Sequence, residues 1–117
     1  LMVGAVCVPR GSDSTESEME FILNHSESSF VFIEHLRLYK KIARILQEKK
    51  LPAIVLDNAF PADILEKNKF FSIHSIIESV KDLDLRKHEL KKLSETIYPE
   101  DLFTIIYTSG TTGNPKG

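Results

Sequence analysis

Apolar positions along this 117-residue chain follow two alternating rhythms. Some fall in short compact runs, and others recur every three or four residues. Ala5-Val-Cys-Val8 is a compact run closed by Pro9, with Arg10-Gly-Ser-Asp-Ser14 as a polar turn. Thr15 and Glu18 have capping-box spacing, and Met19, Ile22 and Leu23 give the helix behind them an apolar face. Asn24-His-Ser-Glu-Ser28 breaks that helix. Ser29-Phe-Val-Phe-Ile-Glu34, rich in β-branched and aromatic residues, then reads as a buried strand. Leu36, Tyr39, Ile42, Ile45 and Leu46 return to helical spacing on a surface that carries Arg37, Lys40, Lys41, Arg44 and Lys49. Pro52 stops this helix, and Ala53-Ile-Val-Leu56 predicts a third strand closed by Asp57-Asn58.

A short fourth strand is predicted near Phe70-Phe-Ser-Ile73. The stretch from Ser75 to Leu93 is helical in pattern, in two pieces divided near Asp82 to Asp84. Tyr98-Pro-Glu-Asp101 is a turn that feeds a last, buried strand, Leu102-Phe-Thr-Ile-Ile106. Strands separated by helices imply βαβ units, right-handed crossovers and a mostly parallel sheet, hence an α/β fold. In such sheets ligands sit beyond the carboxyl ends of the strands. The chain places its most unusual chemistry behind the last of those strands.

Residues 107–117 read Tyr-Thr-Ser-Gly-Thr-Thr-Gly-Asn-Pro-Lys-Gly, with five hydroxyl side chains, three glycines and one lysine. A strand that runs out into such a loop offers backbone N–H groups and hydroxyls that can wrap phosphate oxygens. Lys116 adds a positive point charge at its far end. The Walker loop, Gly-x-x-x-x-Gly-Lys-Ser/Thr, fits poorly. With Gly110 as its first glycine, Pro115 occupies the place of the second, and Gly117 that of the magnesium-binding hydroxyl. The segment instead resembles the phosphate loop of the adenylate-forming superfamily, Tyr/Phe-Thr-Ser-Gly-Ser/Thr-Thr-Gly-x-Pro-Lys-Gly, at every fixed position. That superfamily contains acyl-CoA synthetases, luciferases and the adenylation domains of peptide synthetases. Gly4-Ala-Val-Cys-Val-Pro9, Glu20-Phe-Ile-Leu-Asn-His-Ser26 with Val31-Phe-Ile-Glu34, and Asp101–Tyr107 look most like its long-chain fatty acyl-CoA synthetase branch. Phe60 to Thr96 carries no motif of the family.

The resemblance implies that residues 1–117 are part of the large N-terminal AMP-binding domain, ending at the phosphate-binding loop 107–117. It implies an acid–thiol ligase that activates a carboxylate, most like a long-chain fatty acid, with ATP. An acyl-adenylate forms, pyrophosphate leaves, and coenzyme A takes the acyl group. Thr108, Ser109, Gly110, Thr111, Thr112, Gly113 and Lys116 would contact phosphate, with Lys116 either supplying charge or anchoring the loop. Magnesium would offset the charge on the leaving pyrophosphate. The family's magnesium-binding acid, adenine and ribose motifs and C-terminal lysine have no counterpart here. No catalytic or metal-ligating residue is therefore expected in this chain, and the piece alone is expected to be inactive. The start at Leu1 inside an apolar element, and the stop at Gly117 directly behind the loop, predict a fragment of a larger enzyme.

Composition changes little in this picture. With 42% hydrophobic and 27% charged residues and a net charge of −2, the chain reads as one ordinary globular α/β unit without nucleic acid as a main partner. Cys7 is the only cysteine, so there is no internal disulfide, and its apolar setting reads as buried and inert. No apolar stretch approaches eighteen residues and no signal-peptide layout is present, which predicts neither a transmembrane nor an exported segment. The resemblance implies a cytoplasmic protein, with peripheral association of the parent at the inner face of a membrane left open. Glu48 interrupts the basic face of the Leu36–Lys50 helix and favours a solvated surface. His25, His35, His74 and His88 lack metal-site spacing and read as surface or cap residues. Between Lys81 and Glu95 an exposed helix is expected, with pairs such as Glu89 with Lys92 and Asp84 with His88. The alternatives are a non-catalytic nucleotide-binding module of the same fold and, within the family, a fatty acyl-AMP ligase or a peptide-synthetase adenylation domain.

Overall fold

The computed structural model describes residues 3–108 and 116–117. The chain divides into two compact units, one made of Ser12–Ser79 and the other of Leu1–Gly11 with Val80–Gly117.

The first unit is an α/β layer. Helix α1, Glu16–His25, starts in the expected capping box. The Thr15 hydroxyl accepts from the Glu18 amide, and the Glu18 carboxylate accepts from the Thr15 amide at 2.7 Å. Strand β1, Val31–Ile33, precedes helix α2, Leu36–Lys49, whose N-cap is His35, with Nδ1 accepting from the Leu38 amide at 3.0 Å. Strand β2, Ala53–Val55, helix α3, Ala62–Asn68, strand β3, Phe71–Ser72, and helix α4, Ile73–Ser79, complete the unit. The strands form one parallel sheet in the order β1-β2-β3, with Ile33 opposite Val55 and Ile54 opposite Phe71. Sheet direction and class match the reading of the sequence.

Sequence periodicity missed α3. It is seven residues long, buries no residue fully and has no side-chain cap, so neither an apolar stripe nor a capping residue announces it. Helices α2 and α3 end in the same way. Lys50 and Lys69 adopt left-handed backbone at φ 53° and 55°, and the next residue, Leu51 or Phe70, returns its amide to the preceding turn. Pro52 therefore lies beyond a stop already made at Lys50. Leu51 and Phe70 then pack against the core, which fixes the path into the following strand.

That core joins Ile33, Ala53 and Val55 of the sheet to Tyr39, Ile42, Ile45 and Leu46 of α2, with Met19 and Phe60. Tyr39 meets Phe60 and Phe70 edge to face at centroid distances of 5.6 and 6.0 Å. The other face of the sheet carries Phe32, Ile54 and Phe71 in register, with both phenylalanines exposed. Strands with apolar residues on both faces explain why the sequence shows unbroken runs here instead of alternation.

The polar face of α2 is solvated and tied to α1. Arg44 reaches Glu20 at 2.8 Å, Glu48 at 3.0 Å and Glu16 at 3.4 Å, while Lys41 caps the carbonyls of Ser12 and Ser14 at 2.8 Å each. Hydrogen bonds to Glu20 and Glu48 push the Arg44 guanidinium further above its ordinary range. A cation with a raised value loses its contribution only as pH climbs through that value, so Arg44 adds no pH dependence below strongly alkaline conditions. All four groups are exposed, which keeps the network weak. Arg44→Ala should lower the urea midpoint slightly at low salt and less at high salt. An equal loss at both salt concentrations would place the effect in the packing of the arginine stem instead.

In the second unit, helix α5, Leu83–Ser94, is capped by Asp82, a residue type that tolerates the left-handed φ of 55° found there. The break from α4 lies at residues 80–82, slightly ahead of the division read near Asp82 to Asp84. The ion pairs on α5 differ from those expected, with Arg86 holding Glu89 at 2.8 Å and Lys87 near Asp84 at 3.6 Å. In the structure Glu89 pairs with Arg86 in the preceding turn and Asp84 with Lys87, both at three-residue spacing on one helix face. The Tyr98–Asp101 turn forms as read, with the Tyr98 amide bonded to the Asp101 carboxylate at 2.8 Å.

Candidate functional site

Residues 103–108 run beside the segment that contains Cys7 and carry the chain toward the loop. Cys7 donates to the Phe103 carbonyl at 3.1 Å and accepts from the Ile105 amide at 2.9 Å, while the Thr104 hydroxyl donates to the same Cys7 carbonyl. This is a single parallel bridge, Cys7 with Thr104, and it corrects three readings. Neither Ala5–Val8 nor Leu102–Ile106 is a full strand among the described residues. The second run is not buried either, since Leu102, Phe103 and Ile106 are 62%, 58% and 63% exposed. Cys7 is exposed as well. The physical reason is common to all three. Each segment is paired along one edge, at one point, and nothing among the described residues covers its outward side chains.

Burial increases at Tyr107, which is only 4% exposed. The next residue, Thr108, exchanges two backbone hydrogen bonds with Lys116. Its amide donates to the Lys116 carbonyl at 2.9 Å, and the Lys116 amide donates back at 3.2 Å. This antiparallel bridge joins the two described residues on either side of 109–115 and forms the neck of the phosphate loop expected from the sequence. Residues that exchange both bonds in an antiparallel pair project their side chains to the same face. The Thr108 hydroxyl and the Lys116 amine therefore leave the neck together, and both residues are exposed. Of the predicted phosphate ligands, the structure brings these two together. Ser109, Gly110, Thr111, Thr112 and Gly113 lie outside the described residues.

Two further residues shape the neck, and the sequence reading assigned them no role. A Cβ at Gly117 would lie 2.8 Å from Cζ of Tyr107 and 2.9 Å from Cγ2 of Ile105, so this backbone passes directly over a buried ring. Gly117→Ala should push the returning strand off Tyr107 and make the Thr108 and Lys116 amides exchange with solvent roughly ten- to a hundredfold faster. Unchanged protection would mean that the ring gives way freely. The other residue is Arg10, whose guanidinium donates to the Tyr107 carbonyl at 3.1 Å. The sequence reads Arg10 as part of a polar turn, and nothing local signals a partner 97 positions away.

Among the described residues no cluster of His, Cys, Asp and Glu is arranged to hold a metal ion, and no helix is long and apolar enough to cross a membrane. The chain belongs to the AMP-binding enzyme family, whose model matches residues 1–117. It is 31% identical over 125 residues to the probable acyl-activating enzyme 16, chloroplastic, of Arabidopsis thaliana, covering 100% of this chain and 17% of that protein. It is 29% identical over 115 residues to the human long-chain-fatty-acid–CoA ligase 1, covering 96% of this chain and 16% of that protein. A long chain acyl-CoA synthetase 5 of Arabidopsis thaliana is 34% identical over 119 residues, with 97% of this chain and 17% of that protein covered. The chain thus spans about a sixth of the length of the curated relatives it matches. No solved structure matches it.

Proposed function

We propose that the chain is the phosphate-loop segment of a longer ATP-dependent acid–thiol ligase that acts on long-chain fatty acids. The observation that carries this reading is the closed neck at Thr108 and Lys116 on a sequence that matches the adenylate-forming loop at every fixed position. The names of the relatives support the substrate class.

In this reading a fatty carboxylate attacks the α-phosphorus of ATP, the bond to the bridging oxygen breaks, and pyrophosphate leaves. The thiol of coenzyme A then displaces AMP from the acyl-adenylate. Thr108, Ser109, Thr111 and Thr112 supply hydroxyl donors, Gly110 and Gly113 supply backbone amides at close approach, and Lys116 supplies charge. Their joint task is to hold the β- and γ-phosphates so that pyrophosphate is aligned as the leaving group. Magnesium, when bound, offsets the charge on that group, and no residue of this chain is assigned to it. Residues 1–117 alone carry no group that takes or gives a proton at the reacting atoms and are inactive in this reading.

The test is carboxylate-dependent exchange of pyrophosphate into ATP by the complete protein, with acetate, octanoate, palmitate and a panel of amino acids. Exchange with palmitate is expected. The thiol acceptor is then read by offering coenzyme A and acyl-carrier protein separately, since one relative at 30% identity is named as a long-chain fatty acid ligase of the acyl-carrier protein. A protein that binds ATP and exchanges with no carboxylate would be the non-catalytic module instead.

A further inference from the structure

The geometry points to Arg10 as a positioning residue that sets the phosphate loop through the peptide group joining Tyr107 to Thr108, an inference that rests on the phosphate-loop reading above. The carbonyl of that peptide accepts from the Arg10 guanidinium at 3.1 Å, and its N–H donates to the Lys116 carbonyl at 2.9 Å. One flat amide therefore carries a cation on one side and half of the neck bridge on the other. A cationic donor on the oxygen draws electron density from the nitrogen and makes the N–H a stronger donor, so the two bonds reinforce each other. The contact is partly buried, which strengthens both.

Arg10 is itself held in place. Three residues earlier, Cys7 is bonded on both sides to Phe103 and Ile105, which sets its segment in register with the residues that lead to the neck. Pro9 restricts the backbone between the two. The guanidinium is thus presented to Tyr107 by a local framework, and a residue near the beginning of the chain governs a loop near its end. The consequence is specific to the loop. Without Arg10 the neck bridge loses its support, and Thr108 and Lys116 spend part of their time apart, which weakens their joint hold on pyrophosphate.

The experiment measures equilibrium binding of pyrophosphate and of ATP to the complete protein by calorimetry, for the wild type and for Arg10→Ala, Arg10→Gln and Arg10→Lys. Thermal midpoints and carboxylate-dependent exchange are measured beside it. Arg10→Ala should weaken pyrophosphate binding by roughly five- to fiftyfold, the scale of one hydrogen bond to a charged group. Arg10→Gln, which keeps a donor without charge, should fall between alanine and wild type. Arg10→Lys should recover most of the affinity. The KM for the carboxylate and the thermal midpoint should hardly move. Wild-type pyrophosphate affinity in Arg10→Ala would overturn the inference. So would parallel losses of pyrophosphate affinity, carboxylate affinity and thermal midpoint in all three variants, which would make Arg10 a general structural residue. A wild type that binds ATP but exchanges with no carboxylate, with binding still lowered in Arg10→Ala, would sink the ligase reading and leave the role of Arg10 intact. A wild type that binds neither ATP nor pyrophosphate would overturn both.

Discussion

Ile33→Ala should cost about 2–5 kcal/mol of folding stability, the range for emptying an aliphatic site in a packed core. Ile33 is wholly excluded from solvent, as is Val55 opposite it in the register of β1 and β2. The backbone around it is fixed independently of its side chain, because its carbonyl accepts from the Leu56 amide at 2.9 Å and the Val31 amide donates to Pro52 at 3.1 Å. The site therefore cannot collapse by letting the strand move inward. Most of the lost volume remains as a cavity between the sheet and α2. Ile33→Val removes one methylene and should cost about 0.5–1.5 kcal/mol. Urea titrations of the two variants beside the wild type, at the same chain length, read both values. A loss near 1 kcal/mol for alanine would mean that α2 does not close over the sheet as the Tyr39, Ile42, Ile45 and Leu46 cluster indicates.

The same residues explain how much of the fold was legible. Ile33, Ala53 and Val55 sit in short β-branched runs, and Tyr39, Ile42, Ile45 and Leu46 repeat at helical spacing, so the sheet and α2 follow from pattern alone. Thr15 and Glu18 announce α1 because a capping box is a local device. Failures came where structure depends on something distant or weak. Helix α3 has little apolar stripe, and its Pro61 start has no side-chain cap. Leu102–Ile106 has the composition of a buried strand, but composition does not state how many neighbours a strand finds. Only the Cys7 segment pairs with it among the described residues, and its outward face stays exposed.

At the candidate site the division is similar. The loop's phosphate chemistry was proposed from the sequence, where hydroxyls, glycines and a lysine stand in that order. Its closure by Thr108 and Lys116 was not, since a bridge across residues 109–115 has no sequence marker of its own. Gly117 belongs to the motif but was assigned no phosphate contact, and the ring of Tyr107 beneath it supplies a reason for a glycine. Arg10 was invisible for the same reason that long-range contacts generally are. Periodicity and motifs report neighbours in sequence, and Arg10 meets the carbonyl of Tyr107 across almost the whole chain.

In the complete enzyme, Thr111→Ala and Thr112→Ala should each reduce carboxylate-dependent pyrophosphate exchange roughly ten- to a hundredfold. The magnitude follows from the chemistry assigned to the loop. A hydrogen bond from a hydroxyl to a charged oxygen contributes about 1.5–3 kcal/mol, and about 1.4 kcal/mol is one factor of ten in rate. How the loss divides between kcat and KM tests the role itself. In the proposed reaction negative charge grows on the departing pyrophosphate as the acyl-adenylate forms, so a donor aimed at that group gains strength in the transition state and its removal lowers kcat. A donor that only retains ATP would raise the KM for ATP and leave kcat alone. Thr111→Ser and Thr112→Ser keep the hydroxyl and should recover most of the rate, which separates loss of the donor from loss of a methyl group. Unchanged exchange in both alanine variants would remove these hydroxyls from the mechanism. Phosphate binding would then rest on the backbone amides of Gly110 and Gly113 and on the charge of Lys116, held in place by the bridge at the neck.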